Sequence, residues 1–311
     1  MDVGVVLPTY RRLASPANIV RAARLAEDLG FESVWTTDHV VVPAEQEDLF
    51  GRTVYDPLAT LAYVAGFTSR VKLGVAVLVV PYRHPLPLAK TLATLDQLSG
   101  GRVVLGAGLG WLPGEFEALG LDVRRRASLT EDGLQAMRAC WRSETPSHRG
   151  PHFAFDGVLF APRPVGDLPV WIGGVSDAAL ERAARLGEGW ISDGQTFEEL
   201  TASLQVLDRR LAEAGRDRSG FTVALRTGLQ VVDAADAVTA SRAVRGHMGG
   251  QAAEPLGRTP FRGTADEVAA DLAHASALGV DHLVFEFPIA RGEESMDLFE
   301  PLAELRIRAD V

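Results

Sequence analysis

Short apolar runs alternate along nearly the whole chain with stretches whose apolar positions recur at helical spacing. Val3–Leu7 reads as a short buried strand. Ser15-Pro16 then supplies a capping hydroxyl and a proline at the first helical position, where no N–H is needed. Ile19, Ala23, Ala26 and Leu29 follow at helical spacing until Gly30 stops the helix. Val34 and Trp35 belong to a second strand. Asp56-Pro57 repeats the capped start and predicts a helix to about Ser69, and the β-branched run Val71–Val80, closed by Pro81, predicts a third strand. Leu88, Leu92, Leu95 and Leu98 stripe the next helix, which Gly100-Gly101 ends before a fourth strand, Arg102–Gly108, that finishes in glycines.

The pattern continues with a helix over about 128–142 and a polar, proline-bearing connection from Ser143 to Leu168, in which a small hairpin is expected around Phe153–Phe160. A fifth strand at Pro169–Ile172 precedes a helix at about 177–187, and Gly189–Ser192 forms a sixth. A helix at 197–214, a seventh strand at 222–232 and a helix beginning near Ala235 come next. The glycines and prolines of about 246–263 read as an irregular insertion. Thr264–Leu278 is helical again, Val280–Phe287 is the eighth strand, and a last helix lies near 294–308. Eight strand–helix pairs predict an α/β chain folded as one (β/α)8 TIM barrel with insertions, a single domain over 1–311; a doubly wound open sheet is the alternative.

In such a barrel the residues following the strands share one mouth. They are Tyr10 and Arg11; Asp38 and His39; Pro81, Tyr82, Arg83 and His84; Gly108, Gly110 and Trp111; Gly173, Gly174 and Ser176; Asp193 and Gly194; and Glu286. Polar residues and glycines dominate, which suits a mouth rather than a packed interior. His39 can move a proton near neutral pH. Its neighbour Asp38 does not make a relay by adjacency, because consecutive side chains of an extended chain point apart.

Composition narrows the chemistry. The 311 residues carry a formal net charge of -10, and basic residues never exceed the run Arg124-Arg125-Arg126, which suits a solvated face or ion-pair partners better than a nucleic-acid surface. No apolar stretch approaches the ~20 residues that span a bilayer, and the start Met1-Asp2-Val3 has no basic leader, so a cytoplasmic location away from membranes is expected. Cys140 is the only cysteine, which precludes an intramolecular disulfide, and its neighbours Met137, Ala139 and Trp141 suggest a buried helical thiol. The histidines are scattered, His148 and His152 lack a second pair of ligands nearby, and no metal is expected. There is no Gly-x-Ser-x-Gly elbow. An enzyme built this way would rely on an organic cofactor.

Two glycine clusters could hold one. Gly106-Ala107-Gly108-Leu109-Gly110 does not open a helix as a dinucleotide fingerprint must. It reads either as tight turning or as a floor without side chains under a flat ring. Gly173-Gly174-Val175-Ser176 immediately precedes a helix, whose first N–H groups suit a phosphate.

With these segments in order, the chain resembles the luciferase-like monooxygenase superfamily, in the branch that uses the deazaflavin coenzyme F420. The matching segments are Gly30–Trp35 through Asp38-His39; Leu73–Val77 with Pro81–Pro85; Leu95–Arg102; Gly106–Trp111; Pro169–Gly174; and Ala184–Trp190. The resemblance implies a (β/α)8 barrel with a flavin or deazaflavin in its mouth and a cis peptide at Ala76-Val77 under the ring. It also implies that Asp38 and His39 lie beside the ring, that Gly108, Gly110 and Trp111 border it, and that Gly173, Gly174, Val175 and Ser176 hold the phosphate of the tail. Where related deazaflavin enzymes carry an acid after the fourth strand, this chain has Trp111, which puts a second acid in doubt and argues against a sugar-phosphate substrate.

The expected function is F420-dependent hydride transfer to or from a small organic molecule, with His39 handling the proton. The stretch Trp111–Glu115 favours this branch. An FMN-dependent monooxygenase using oxygen and a non-catalytic flavin-binding protein are the alternatives. A homodimer is expected, because exposed barrel helices commonly pair.

Overall fold

The computed structural model describes residues 1–232, 258–286 and 299–308. Twelve strands are described: β1 Asp2–Val6, β2 Ser33–Thr36, β3 Lys72–Val79, β4 Val103–Gly108, β5 His148–Arg149, β6 Ala154–Phe155, β7 Val170–Gly173, β8 Gly189–Asp193, β9 Thr222–Gly228, β10 Gln230–Val231, β11 Arg262–Gly263 and β12 His282–Glu286. Eight of them close a barrel in the order β1-β12-β9-β8-β7-β4-β3-β2. The first strand pairs in parallel with the last, Gly4 opposite Val284, which rules out the open-sheet alternative and gives the expected (β/α)8 architecture.

Ten α-helices are described, several of which start where the sequence supplies a cap. They are α1 Pro16–Asp28, α2 Glu47–Phe50, α3 Pro57–Ala65, α4 Pro85–Ser99, α5 Pro113–Ala118, α6 Arg126–Arg142, α7 Asp177–Leu186, α8 Phe197–Glu213, α9 Ala265–Ala277 and α10 Phe299–Arg308. Ser15 Oγ accepts the Asn18 N–H at 3.2 Å and Asp56 accepts that of Ala59 at 2.8 Å. Thr196 with Glu199 and Thr264 with Glu267 form reciprocal capping boxes at α8 and α9.

Contacts divide the chain into two compact units. One comprises Met1–Leu7, Val20–Trp35 and Trp171–Val311. Its interior holds Trp35, Trp171 and His282, with the two indoles 5.3 Å apart and the imidazole 5.2 Å from Trp171. Ser33 Oγ accepts from Trp35 Nε1 at 2.6 Å and meets His282 Nε2 at 2.7 Å, so the polar atoms of this layer satisfy each other.

The other unit comprises Pro8–Ile19 and Thr36–Val170. Here β3 and β4 pack so closely that a side chain on Gly106 would land on the Val75 carbonyl oxygen. Arg102, just before β4, donates to the carbonyls of Val71 at 2.8 Å, Thr68 at 2.9 Å and Ser99 at 2.8 Å, and buried Asp96 accepts the N–H groups of Val103 and Val165. The Leu95–Arg102 segment thus clamps the start of β4.

Three boundaries differ from the sequence reading. The helix expected to reach Ser69 ends at Ala65. The hairpin lies earlier than Phe153–Phe160, because buried Asp132 on α6 accepts His148 Nε2 at 2.7 Å and the N–H groups of His152 and Phe153 at 2.8 and 2.9 Å. That fixes the turn between β5 and β6 and pairs His148 with Phe155. The seventh barrel strand stops at Gly228, and Gln230–Val231 forms β10 beside β11. The helix near Ala235 and the insertion up to residue 257 lie outside the described residues. Gly106→Ala is expected to lower stability by about 1–3 kcal/mol, the scale of overpacking, read as a lower urea midpoint with unchanged slope.

Candidate active site

The site residues below, from Thr9 to Glu115, all belong to the unit built from Pro8–Ile19 and Thr36–Val170. Asp38, just past β2, is 3% exposed. Its carboxylate accepts the Val79 N–H at 2.8 Å and a two-pronged pair from Arg83, at 2.6 and 2.9 Å. Burial pushes the Asp38 pKa up against the opposing pull of Arg83 and Val79. Both oxygens are thereby committed to joining the ends of β2 and β3, and among the described residues no hydrogen bond joins Asp38 to His39.

His39 turns instead to Glu115 in the first turn of α5, 1% exposed, whose Oε2 lies 3.1 Å from His39 Nδ1. The same oxygen accepts the Tyr82 hydroxyl at 2.9 Å, while Oε1 accepts the N–H groups of Val40 at 2.6 Å and Val41 at 3.3 Å. Burial and the neighbouring Glu115 raise the Tyr82 pKa, which keeps the phenol a donor. An ionised carboxylate only accepts, so beside one Nδ1 of His39 is the donor, and in the neutral ring that leaves the lone pair on Nε2. The His39 ring packs against Phe50 with centroids 4.1 Å apart, and Phe50 in turn meets Tyr10 and Trp111. Beyond His39, a cavity of about 380 Å3 is lined by Val40–Ala44, Glu47, Gly51, Arg52 and Val54.

Trp111, at the position where the resemblance places an acid, packs on Phe50. An acid does follow the fourth strand, four positions further on, at Glu115. The sequence carried a signal for it: Pro113 at the first helical position starts a helix just beyond the glycine rim, and Glu115 falls in its first turn. Phe50 had no such signal. It reaches His39 because the Arg11 N–H donates to the Phe50 carbonyl at 3.0 Å and the Arg11 side chain to that of Leu49, which holds the loop in place.

The Ala76-Val77 peptide is cis, and the pairing of β3 with β4 shifts register between Val75 and Leu78. A Cβ on Gly108 would collide with the Val77 side chain, and one on Gly110, at φ +76, would come within 2.6 Å of Val79. Glycine at 108 therefore accommodates Val77 of the neighbouring strand. Two buried hydroxyls in this unit, on Thr9 and Thr37, have no hydrogen-bond partner among the described residues. Bare hydroxyls are groups that a heteroatom-bearing ring satisfies, and in this respect a flavin-type ring fits.

In the other unit, Gly173-Gly174-Val175-Ser176 leads into α7. Gly174 has φ +120, its carbonyl accepts Trp190 Nε1 at 2.7 Å, and Ser176 Oγ caps the helix through the Ala179 N–H. Also in this unit, Arg226 on β9 is forked between Asp193 at the end of β8, 2.8 Å away, and Glu286 at the end of β12. One guanidinium serves two carboxylates, and burial raises both, Glu286 to about 7.

A family model described as luciferase-like monooxygenase matches residues 1–284. The chain belongs to this family. Its luciferase-like relatives include an uncharacterized protein of Mycobacterium tuberculosis, 33% identical over 240 residues, covering 72% of this chain and 83% of the relative. The FMNH2-dependent dimethylsulfone monooxygenase of Pseudomonas fluorescens is 31% identical over 202 residues, covering 64% of this chain and 53% of that protein. A solved F420-dependent secondary alcohol dehydrogenase in complex with an F420-acetone adduct superposes with a TM-score of 0.82 at 20% identity, covering 98% of this chain and 99% of that one. The family membership makes the chain a luciferase-like oxidoreductase relative, and among its neighbours one protein is named for FMNH2 and another is solved with an F420 adduct. Among the described residues no cluster of three or more potential metal ligands occurs, and no helix is long and apolar enough to cross a membrane.

Two outcomes are expected for this luciferase-like site. Arg83→Ala leaves Asp38 buried without its counter-ion and lowers stability by about 3–5 kcal/mol in chemical denaturation. The folded-state pKa of Glu286, about 7, exceeds its ordinary 4.5, so between those values the folded chain keeps a proton that the unfolded chain has lost. Stability therefore falls as pH rises through that window, and Glu286→Gln flattens the slope in unfolding free energies measured from pH 4.5 to 7.

Proposed function

We propose that the chain is a coenzyme F420-dependent oxidoreductase that exchanges a hydride with a small organic substrate, with His39 as its proton-handling residue. The observation that carries this reading is the His39–Glu115 pair. When bound, the deazaflavin supplies or accepts the hydride. The chain's own task is then to move one proton, and Nε2 of His39 is the atom suited to it: a bare lone pair on a ring fixed on one side by Glu115 and on the other by Phe50.

Glu115 acts through His39. It fixes the tautomer and stabilises the imidazolium that forms when Nε2 takes a proton. Tyr82 and the Val40 and Val41 N–H groups hold Glu115 in turn, so the proton-handling ring and the wall of the adjoining cavity share one anchor. That wall is mostly Val, Pro and Ala, which suits the nonpolar part of a substrate.

The residues proposed to hold the cofactor are Ala76 and Val77 with Gly108, Gly110 and Trp111 around the ring, Thr37 through its unpartnered hydroxyl, and Gly173, Gly174, Val175 and Ser176 at the phosphate. The last group is supported by the helix that begins at Asp177, whose first N–H groups lie beyond the intrahelical ladder. Asp38 is proposed to contribute by holding the ends of β2 and β3, since its oxygens are occupied by Val79 and Arg83.

His39→Ala is expected to leave cofactor affinity within a few-fold and to lower turnover by ~100-fold or more, the scale of lost acid–base catalysis. Unchanged turnover removes His39 from the mechanism. Fluorescence titration with F420 and with FMN is expected to give tighter binding of F420, and tighter FMN binding favours the oxygen-using reading.

A further inference from the structure

Arg262 lies on β11, in the connection between β9 and α9, and its backbone is fixed from three directions. The Gln230 N–H donates to the carbonyl of Phe261 and the Val232 N–H to that of Gly263, both at 2.9 Å, so β11 is locked to β10. The Phe261 N–H donates to Asp271 at 2.6 Å. Phe261 itself adopts φ +60, an unusual conformation for a bulky residue, and its fully buried ring packs on Phe285 and Phe197 at centroid distances of 5.1 and 5.9 Å. The root of the Arg262 side chain is therefore held by a conformation that its surroundings over-determine.

What lies at the end of that side chain contrasts with its neighbours. Arg226 has Asp193 and Glu286, and Arg258 has Asp271. Arg262 makes no side-chain hydrogen bond and no ion pair among the described residues, and its Nε is buried without a partner. Nη2 rests 2.7 Å from where a Cβ of Gly228 would stand, so the guanidinium lies against bare backbone at the end of β9, close to the rim from which the Arg226 fork also springs. Burial lowers the Arg262 pKa, and among the described residues no carboxylate opposes it. A part-buried guanidinium without a counter-ion is costly unless something completes it. Its planar fork matches the paired oxygens of a phosphate or carboxylate.

We infer that Arg262 is the anchor of an oxyanion site, taking a phosphate or carboxylate group carried by a small molecule at the strand-end rim of the barrel. The site is on a different element, β11, from the Gly173–Ser176 turn proposed for the cofactor phosphate, and the titrations below decide whether the two serve one phosphate. It stands without the redox reading, because its occupancy can be measured with no cofactor present.

Calorimetric titration of the intact protein with inorganic phosphate tests the site. Arg262→Gln is expected to weaken phosphate binding by roughly tenfold or more, the loss of a charge-assisted fork, and Arg262→Lys to weaken it less. Phosphate should raise the melting temperature of the wild type by linkage and not that of Arg262→Gln. Equal isotherms and equal phosphate-induced shifts for wild type and Arg262→Gln overturn the assignment. Parallel titrations with FMN against riboflavin, and F420 against its phosphate-free deazaflavin core, distinguish the source. A loss in Arg262→Gln confined to the phosphate-bearing member places the oxyanion on the cofactor tail, and unchanged cofactor affinities alongside lost phosphate binding place it on the substrate.

Discussion

A single buried carboxylate, Glu115, accepts four hydrogen bonds, and the arrangement around His39 depends on it. One oxygen meets His39 Nδ1 and the Tyr82 hydroxyl, and the other takes the N–H groups of Val40 and Val41. The four contacts tie three segments to α5: the end of β2, the turn after β3, and the start of the loop that lines the cavity. A buried carboxylate is tolerated only when fully satisfied. The cost of leaving any donor unmet is what makes the four segments adopt one arrangement.

Asp38 plays a complementary part in the same unit. Its bonds to Val79 and Arg83 fix the strand ends on which His39 and Tyr82 stand, so adjacent residues of one sequence motif serve two separate anchors. Neighbouring side chains of an extended segment diverge, and that alone separates Asp38 from His39 in function. The glycines of β4 follow from packing in the same region, since the space that side chains on Gly106 and Gly108 would need is filled by Val75 and Val77.

Much of the barrel was legible because its signals are local. Ser15, Asp56, Thr196 and Thr264 cap helices that begin where the pattern places them, and Gly100, at φ +73, ends α4 as its position suggests. The Leu95–Arg102 and Gly187–Trp190 segments, read from the sequence as marks of family resemblance, act in the structure as clamps: Arg102 on the carbonyls of Val71 and Thr68, and Trp190 on that of Gly174. The candidate site was legible only in part. His39 and Tyr82 were found as strand-end residues, but pairing His39 with Glu115 requires knowing which oxygen faces which ring across 76 residues of sequence. Phe50 and the hairpin register were hidden for the same reason, each being set by a distant partner, Arg11 in one case and Asp132 in the other. Arg262 is the converse: what distinguishes it is the lack of a side-chain partner among the described residues, and no sequence pattern records that.

In the proposed mechanism Glu115 holds the proton of His39 on Nδ1 and leaves Nε2 free to exchange one. Nitrogen-15 NMR of the histidine side chains, with His39 assigned by comparison with His39→Ala, reads this directly. The neutral His39 ring is expected to be protonated at Nδ1 with a pyridine-type Nε2, and Glu115→Gln to weaken this preference. A neutral ring protonated at Nε2 in the wild-type protein would contradict it.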